Sequence, residues 1–233
     1  MIGDPYQGIN GDVIGDLSAF DIRQIRFLQL DQNLIQAEID LNYDGGDLTL
    51  AQFSTGTNIL NIGDLLFRAG GDYRFGVALQ THSNSPNAGS SFHTGGQAIL
   101  AGALYQINAG GVLTADDMLN DVCPTCYRPT EAVWMWNQNG SVTQLTNAIN
   151  NPVSVAYANQ GNPAELLVRI SFVPDNTFMQ ALLGNQLSVH FASATCANDI
   201  VDGRLVVPEP GTWVLLGAGL IGLGLWRRKT SRT

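Results

Sequence analysis

Short segments in which apolar and polar residues alternate are the feature of this 233-residue chain that most restricts its fold. An alternation of period two is typical of half-buried β-strands. Paired glycines separate many of these segments, at 45–46, 70–71, 95–96 and 110–111, and Asn139-Gly140 has the composition of a tight hairpin turn. Many short strands with glycine-rich connections favour antiparallel sheets over alternating strand and helix units. We therefore predict an all-β fold, an antiparallel β-sandwich of the jelly-roll-like type.

The predicted strands can be placed one by one. The stretch 20–30 contains a change of register near Arg23 and Gln24, and a turn at 31–33 separates it from the next strand. The remaining predicted strands are 34–41, 65–67, 73–79, 98–107, 132–136, 153–157, 166–173 and 187–191.

One or two short helices interrupt this pattern. Asp175 can cap the segment NTFMQALL, in which Phe178 and Leu182 share a face, and Gly184 can end it. Thr114 and Asp117 have the spacing of a capping box, with Asp in the place of the usual Glu, which predicts a second helical turn.

The charge of the chain is unevenly distributed and excludes one class of partner. Residues 1–206 contain 7 arginines against 19 acidic residues, a formal charge of −12, while four of the 11 basic residues lie in the last seven positions. An acidic body is repelled by phosphate backbones, so we expect no binding to nucleic acid.

An Asp-rich segment, DLNYDGGD at 40–47, resembles the first half of a calcium loop. Ala51 occupies the position where such a loop places a bidentate carboxylate. A hairpin turn rich in Asp, Asn and Gly is the simpler interpretation. The alternative is a calcium site that uses oxygen atoms from another loop together with Asp40, Asn42, Asp44 and Asp47; apart from this calcium, no cofactor is expected.

No motif for nucleophilic catalysis is present, and none of the three histidines, His82, His93 and His190, has a carboxylate or nucleophile at motif spacing. We interpret His190 as a strand residue without a catalytic role, and we expect His82 and His93, which flank the polar loop 81–97, not to bind a metal. The sequence therefore predicts a protein that is not an enzyme.

Trp134 and Trp136 lie two positions apart and are predicted to share one face of a strand. They form part of the core or, alternatively, a platform on which sugar rings stack. This second interpretation makes the chain a carbohydrate-binding module that uses these residues or the loop 81–97.

Three cysteines, Cys123, Cys126 and Cys196, leave the pairing open. The CPTC segment lies in a polar, proline-containing stretch, which does not favour a redox-active pair. A single CxxC also lacks the second pair of ligands that makes a zinc site specific.

The C-terminal segment 207–233 combines a Pro-Glu-Pro triplet, an uncharged run and a basic cluster. Its 14-residue run, 213–226, would span about 21 Å as a helix, which is shorter than the hydrocarbon core of a bilayer at ~30 Å. Tryptophans at both ends and basic residues behind the run are nevertheless typical of a transmembrane helix. The predicted membrane residues are Trp213, Val214, Leu215, Leu216, Leu220, Ile221, Leu223, Leu225 and Trp226, and the basic stop is Arg227, Arg228 and Lys229.

In this order the three parts resemble a PEP-CTERM sorting tail, which is found on exported proteins of Gram-negative bacteria that make extracellular polysaccharide. The resemblance implies that an exosortase recognises Pro208, Glu209 and Pro210 as a sorting motif and cuts nearby. It also implies an inner-membrane precursor held by the C-terminal helix, a final location at the cell surface or in the extracellular matrix, and exopolysaccharide as a further partner. Proteins with this tail begin with a signal peptide, and the segment MIGDPYQGINGD has neither the basic nor the apolar region of one.

Together these observations predict two parts, a β-sandwich surface domain at 1–206 and a sorting tail at 207–233. We expect a non-enzymatic exported protein of the cell surface or matrix. The alternative is a carbohydrate-binding module, with or without calcium.

Overall fold

The computed structural model describes residues 2–3, 21–31, 33–42, 53–55, 58–60, 62–82, 97–119, 128, 130–157, 165–192, 197 and 199–205. Within these ranges the chain forms fifteen strands and two short helices. The strands are β1 (Ile2–Gly3), β2 (Ile22–Asp31), β3 (Leu34–Asn42), β4 (Phe53–Thr55), β5 (Asn58–Leu60), β6 (Leu65–Ala69), β7 (Asp72–Val77), β8 (Leu104–Ile107), β9 (Val112–Thr114), β10 (Ala132–Met135), β11 (Val142–Gln144), β12 (Val153–Tyr157), β13 (Glu165–Phe172), β14 (Leu187–Ala192) and β15 (Ile200–Arg204). The helices are α1 (Ala115–Leu119) and α2 (Asn176–Leu183).

A five-stranded sheet has the order β1-β2-β3-β13-β12, and a six-stranded sheet has the order β11-β8-β7-β6-β14-β15. Two two-stranded ribbons, β9–β10 and β4–β5, complete the described strands. Every strand pair in these sheets is antiparallel. The prediction of an all-β chain of antiparallel sheets with a few short helices is therefore confirmed.

The main core lies between the two large sheets and combines apolar side chains from both. Phe67 of the six-stranded sheet packs against Phe27 and Phe172 of the five-stranded sheet, with ring centroids 6.0 and 6.2 Å apart. A second apolar cluster lies on the opposite face of the six-stranded sheet, where Leu66 and Tyr105 pack with Met135 of the β9–β10 ribbon. The six-stranded sheet is therefore covered on both faces, by the five-stranded sheet on one and by the ribbon on the other.

Local sequence signals explain several boundaries. Asp31 accepts a hydrogen bond from the backbone N–H of Asn33 at 2.6 Å, which closes the turn between β2 and β3. The pairing of these strands shifts register between Ile22 and Gln24, where the sequence predicted a change. Such a shift lets the apolar residues on both sides of it face the core.

Both predicted helices are present with their caps. Asp175 accepts a hydrogen bond from the backbone N–H of Phe178 at 2.8 Å, and Gly184 follows the last residue of α2. Thr114 and Asp117 bond reciprocally at the start of α1, with Asp117 accepting from the Thr114 N–H at 2.8 Å.

Two predictions about local structure were wrong. The segment 98–107 is a strand only at Leu104–Ile107, because the chain turns at Gly102, whose φ is +75°. Asn139 and Gly140 do form a tight turn, with φ of +55° and +82°, but not a hairpin. The strand before that turn pairs with β9 and the strand after it pairs with β8, because each completes a different sheet.

The predicted transmembrane helix lies outside the described residues, which end at 205. Within the part of the chain that the structure describes, no helix is both long and apolar enough to cross a membrane. The loop at 83–96, the segment 43–50 and the three cysteines also lie outside the described residues.

Candidate functional site

The described residues contain two polar clusters built around a histidine. In the first, the imidazole Nε2 of His82 lies 3.0 Å from Oδ2 and 3.2 Å from Oδ1 of Asp64. Both side chains are almost completely buried, with exposed fractions of 7% and 1%. The indole of Trp134 stacks on the imidazole with ring centroids 4.0 Å apart and an angle of 12° between the planes.

Strand β10 is the element that this first cluster holds. Asp64 accepts a hydrogen bond from the backbone N–H of Met135 at 2.8 Å, and its own N–H donates to the Val133 carbonyl at 2.8 Å. The indole N–H of Trp134 donates to the Ile62 carbonyl at 3.0 Å. The carboxylate of Asp64 thus accepts a backbone hydrogen bond at the edge of β10 that no neighbouring strand accepts.

The second cluster surrounds His190 on β14, which is fully buried. Its Nδ1 lies 3.0 Å from Oδ1 of Asp202, and its Nε2 lies 2.8 Å from the carbonyl oxygen of Ala132 on β10. Both contacts are hydrogen bonds when both ring nitrogens carry protons. Arg68 completes the cluster, since its guanidinium lies 3.2 Å from Oδ1 of Asp202 and 4.5 Å from the ring centroid of Tyr73.

The pKa values in the second cluster follow from burial and charge. Burial raises the pKa of Asp202, but the hydrogen bond and charge of His190, together with the charge of Arg68, lower it by more, so the carboxyl titrates below its usual range. Burial raises the pKa of the Tyr73 phenol, although the hydrogen bond from Arg68 opposes this. Asp202 is therefore an anion and Tyr73 a neutral phenol at neutral pH.

Within the described ranges, the hydrogen-bond partners of the two histidines are carboxylates, backbone groups and an arginine, and no Ser, Thr or Cys side chain is among them. The interpretation of His190 as a strand residue fits its place on β14. Sequence reasoning did not find the partners Asp64 and Asp202, because they are 18 and 12 positions away from their histidines and no motif has such spacings.

Of the four residues that the sequence suggests as calcium ligands, the structure describes two. Asp40 and Asn42 lie on β3, where they accept hydrogen bonds from Gln24 and Arg23 at 3.3 Å each, and Asp44 and Asp47 lie outside the described residues. Across the described part of the chain, no group of three or more His, Cys, Asp or Glu side chains could hold a metal ion. Calcium binding stays a prediction.

Trp134 has an exposed fraction of 3%, so the face of its ring is not available to a sugar, and Trp136 follows β10 and is half-buried. His93, the sorting motif and the predicted membrane segment lie outside the described ranges.

Comparison with known proteins identifies the tail. Residues 206–229 match the model of the PEP-CTERM protein-sorting motif, which confirms the resemblance noted from the sequence. The motif implies an exosortase as processing partner. No curated protein and no solved structure matches the chain.

Proposed function

We propose that this chain is a non-enzymatic exported protein whose β-sandwich body is delivered to the cell surface or extracellular matrix by its C-terminal tail. The observation that carries this proposal is the match of residues 206–229 to the PEP-CTERM motif. Pro208, Glu209 and Pro210 are then the residues that the exosortase recognises.

The physical chemistry of the tail supports a precursor held in the inner membrane. An uncharged run of 14 residues followed by Arg227, Arg228 and Lys229 is the sequence pattern of a short transmembrane helix whose basic end stays in the cytoplasm. A helix of about 21 Å is shorter than the hydrocarbon core, so it holds the precursor less firmly than a full-length span would. A short anchor suits a protein that is cut from the membrane after export.

The described body supports a structural role over a catalytic one. Asp64 and the buried His190 make hydrogen bonds to the backbone of β10, which gives both side chains a structural role. The carbohydrate-binding alternative loses Trp134 as a stacking platform, because that side chain is buried.

The test is the processing of the full chain in a Gram-negative host that contains an exosortase. Glu209→Gln removes the charge of the triplet and should leave uncut protein in the inner-membrane fraction. Glu131→Gln makes the same chemical change in the body and should be processed like the wild type. Membrane fractionation and mass spectrometry of the product distinguish the two. Normal processing of the Glu209 variant would refute recognition through the triplet.

A further inference from the structure

Three of the seven arginines in the acidic body line a single surface groove. Arg68, Arg74 and Arg204 contribute to a pocket of about 750 Å³ at one end of the six-stranded sheet, and no acidic residue is among its lining residues. The groove lies beside the turn that joins β6 to β7 and the turn that follows α2. Asp202 pairs with Arg68 at 3.2 Å and Asp72 pairs with Arg74 at 3.4 Å, whereas Arg204 bonds a backbone carbonyl. The groove therefore keeps a small excess of positive charge in a body with a formal charge of −12.

Strand register places two of these arginines in one row. Ser188 pairs with Arg68 on one neighbouring strand and with Arg204 on the other, so the three side chains share one face of the sheet. Two inter-strand spacings separate the backbones of the arginines, about 10 Å. The β9–β10 ribbon covers the preceding row of this face, where His190 contacts Ala132, and the arginine row belongs to the open groove.

The other large sheet shows how the same protein neutralises such a row. There Glu38 lies between Arg26 and Arg169 on adjacent strands, and it accepts hydrogen bonds from both guanidinium groups. In the groove a neutral serine takes the central position that the carboxylate takes in the other row. Arg68 instead pairs with Asp202, which lies two residues before Arg204 on β15, so a carboxylate stands beside this row and not at its centre.

The two arginines of the row are held in place before any ligand binds. Arg68 is fixed by Asp202 at 3.2 Å and by the phenol of Tyr73. Arg204 donates two hydrogen bonds, at 2.9 and 3.3 Å, to the backbone carbonyl of Asn185. Fixed guanidinium groups lose little entropy on binding, and their planar donors match the geometry of a carboxylate or sulfate.

We propose that this groove binds an acidic saccharide, with one oxyanion of the ligand seated over Ser188 between Arg68 and Arg204. The remaining lining supplies hydroxyl, amide and glycine backbone groups, including Gln186 and Ser188, which suit the hydroxyl groups of a sugar. It contains no aromatic ring for stacking nucleobases, which single-stranded nucleic acids require of their sites. The proposal concerns the body alone and does not depend on how the tail is processed.

The test uses the purified full chain in calorimetric titrations. The probes are an oligo-uronate, a sulfated oligosaccharide, a neutral oligosaccharide of the same length, inorganic sulfate and a single-stranded oligonucleotide. We expect binding of one or both acidic saccharides that weakens with added salt, with no binding of the other probes. The proposal would be overturned by equal binding of the neutral sugar, by a preference for inorganic sulfate alone or for the oligonucleotide, or by no binding of any probe.

Substitutions locate the site. Arg204→Gln should weaken binding about tenfold or more, because a charge-assisted hydrogen bond is lost. Ser188→Asp places the protein's own carboxylate between the arginines and should abolish binding without lowering the melting temperature. Ser154→Asp, on the exposed face of β12, is the matched control and should bind like the wild type. A folded Ser188 variant that binds with unchanged affinity would place the ligand elsewhere.

Discussion

Phe178 offers the sharpest test of how the core is organised. It belongs to α2, has an exposed fraction of 1%, and meets three rings edge-on, those of Phe67, Phe75 and Phe172, at centroid distances of 5.0, 5.3 and 5.7 Å. Removal of a buried phenyl ring costs about 3–5 kcal/mol of unfolding free energy, since both the apolar contacts and the filled volume are lost. Phe178→Ala should therefore destabilise the protein by that amount.

Urea denaturation of the full chain, followed by tryptophan fluorescence, measures this effect. The midpoint should fall while the slope stays unchanged. Phe178→Leu removes about three carbon atoms and should cost about 2 kcal/mol, so it remains measurable if the alanine variant does not fold. Leu183→Ala is the control on the same helix; its side chain is 58% exposed, and the change should be within about 0.5 kcal/mol. Equal effects of the Phe178 and Leu183 substitutions would refute the assignment of α2 to the core.

Two further predictions concern a carboxylate and two glycines. The hydrogen bond from Arg169, and then that from Arg26, lowers the pKa of Glu38, although burial of the carboxyl opposes this. Because the pKa is lower in the folded state, Glu38 stabilises the fold above its unfolded pKa of about 4.3. This contribution is lost as the pH falls through the folded pKa. Glu38→Gln should reduce the melting temperature at pH 7, with a difference from wild type that narrows below about pH 4; a constant difference would contradict this. Gly102→Ala and Gly110→Ala both place a side chain at positive φ, of +75° and +77°. A Cβ atom at Gly102 also collides with the ring of Pro152, whereas a Cβ atom at Gly110 meets no atom within 4 Å. The Gly102 variant should therefore be the less stable of the two in thermal unfolding, and equal stabilities would show that strain alone decides the effect.

The features that were predictable from the sequence depend on neighbouring residues. The change of register in β2, the capping box of α1 and the cap at Asp175 each involve residues within a few positions of one another. Strands β9 and β11 have three residues each, which is too short for an alternating pattern to be recognised.

The candidate sites were less predictable, because they are made by residues from distant strands. Asp64 precedes β6 and His82 follows β7, so they meet because these consecutive strands pair, whereas the row of Arg68, Ser188 and Arg204 depends on the order of strands in the sheet. A single sequence does not specify that order, so the arginine row emerges only from the fold.

The edge of β10 explains why Asp64 and the buried His190 lie where they do in the described part of the body. A strand paired on one side only has free backbone groups on the other, and these must find partners when the strand is buried. On β10, His190 bonds the Ala132 carbonyl, while Asp64 bonds the Val133 carbonyl and the Met135 N–H. The polar side chains in these clusters therefore hold the ribbon on the sheet. Arg68 belongs both to the second cluster and to the groove, and it already pairs with Asp202. Within the described chain, recognition of a ligand is therefore best sought at the exposed Arg204, whose guanidinium bonds a backbone carbonyl.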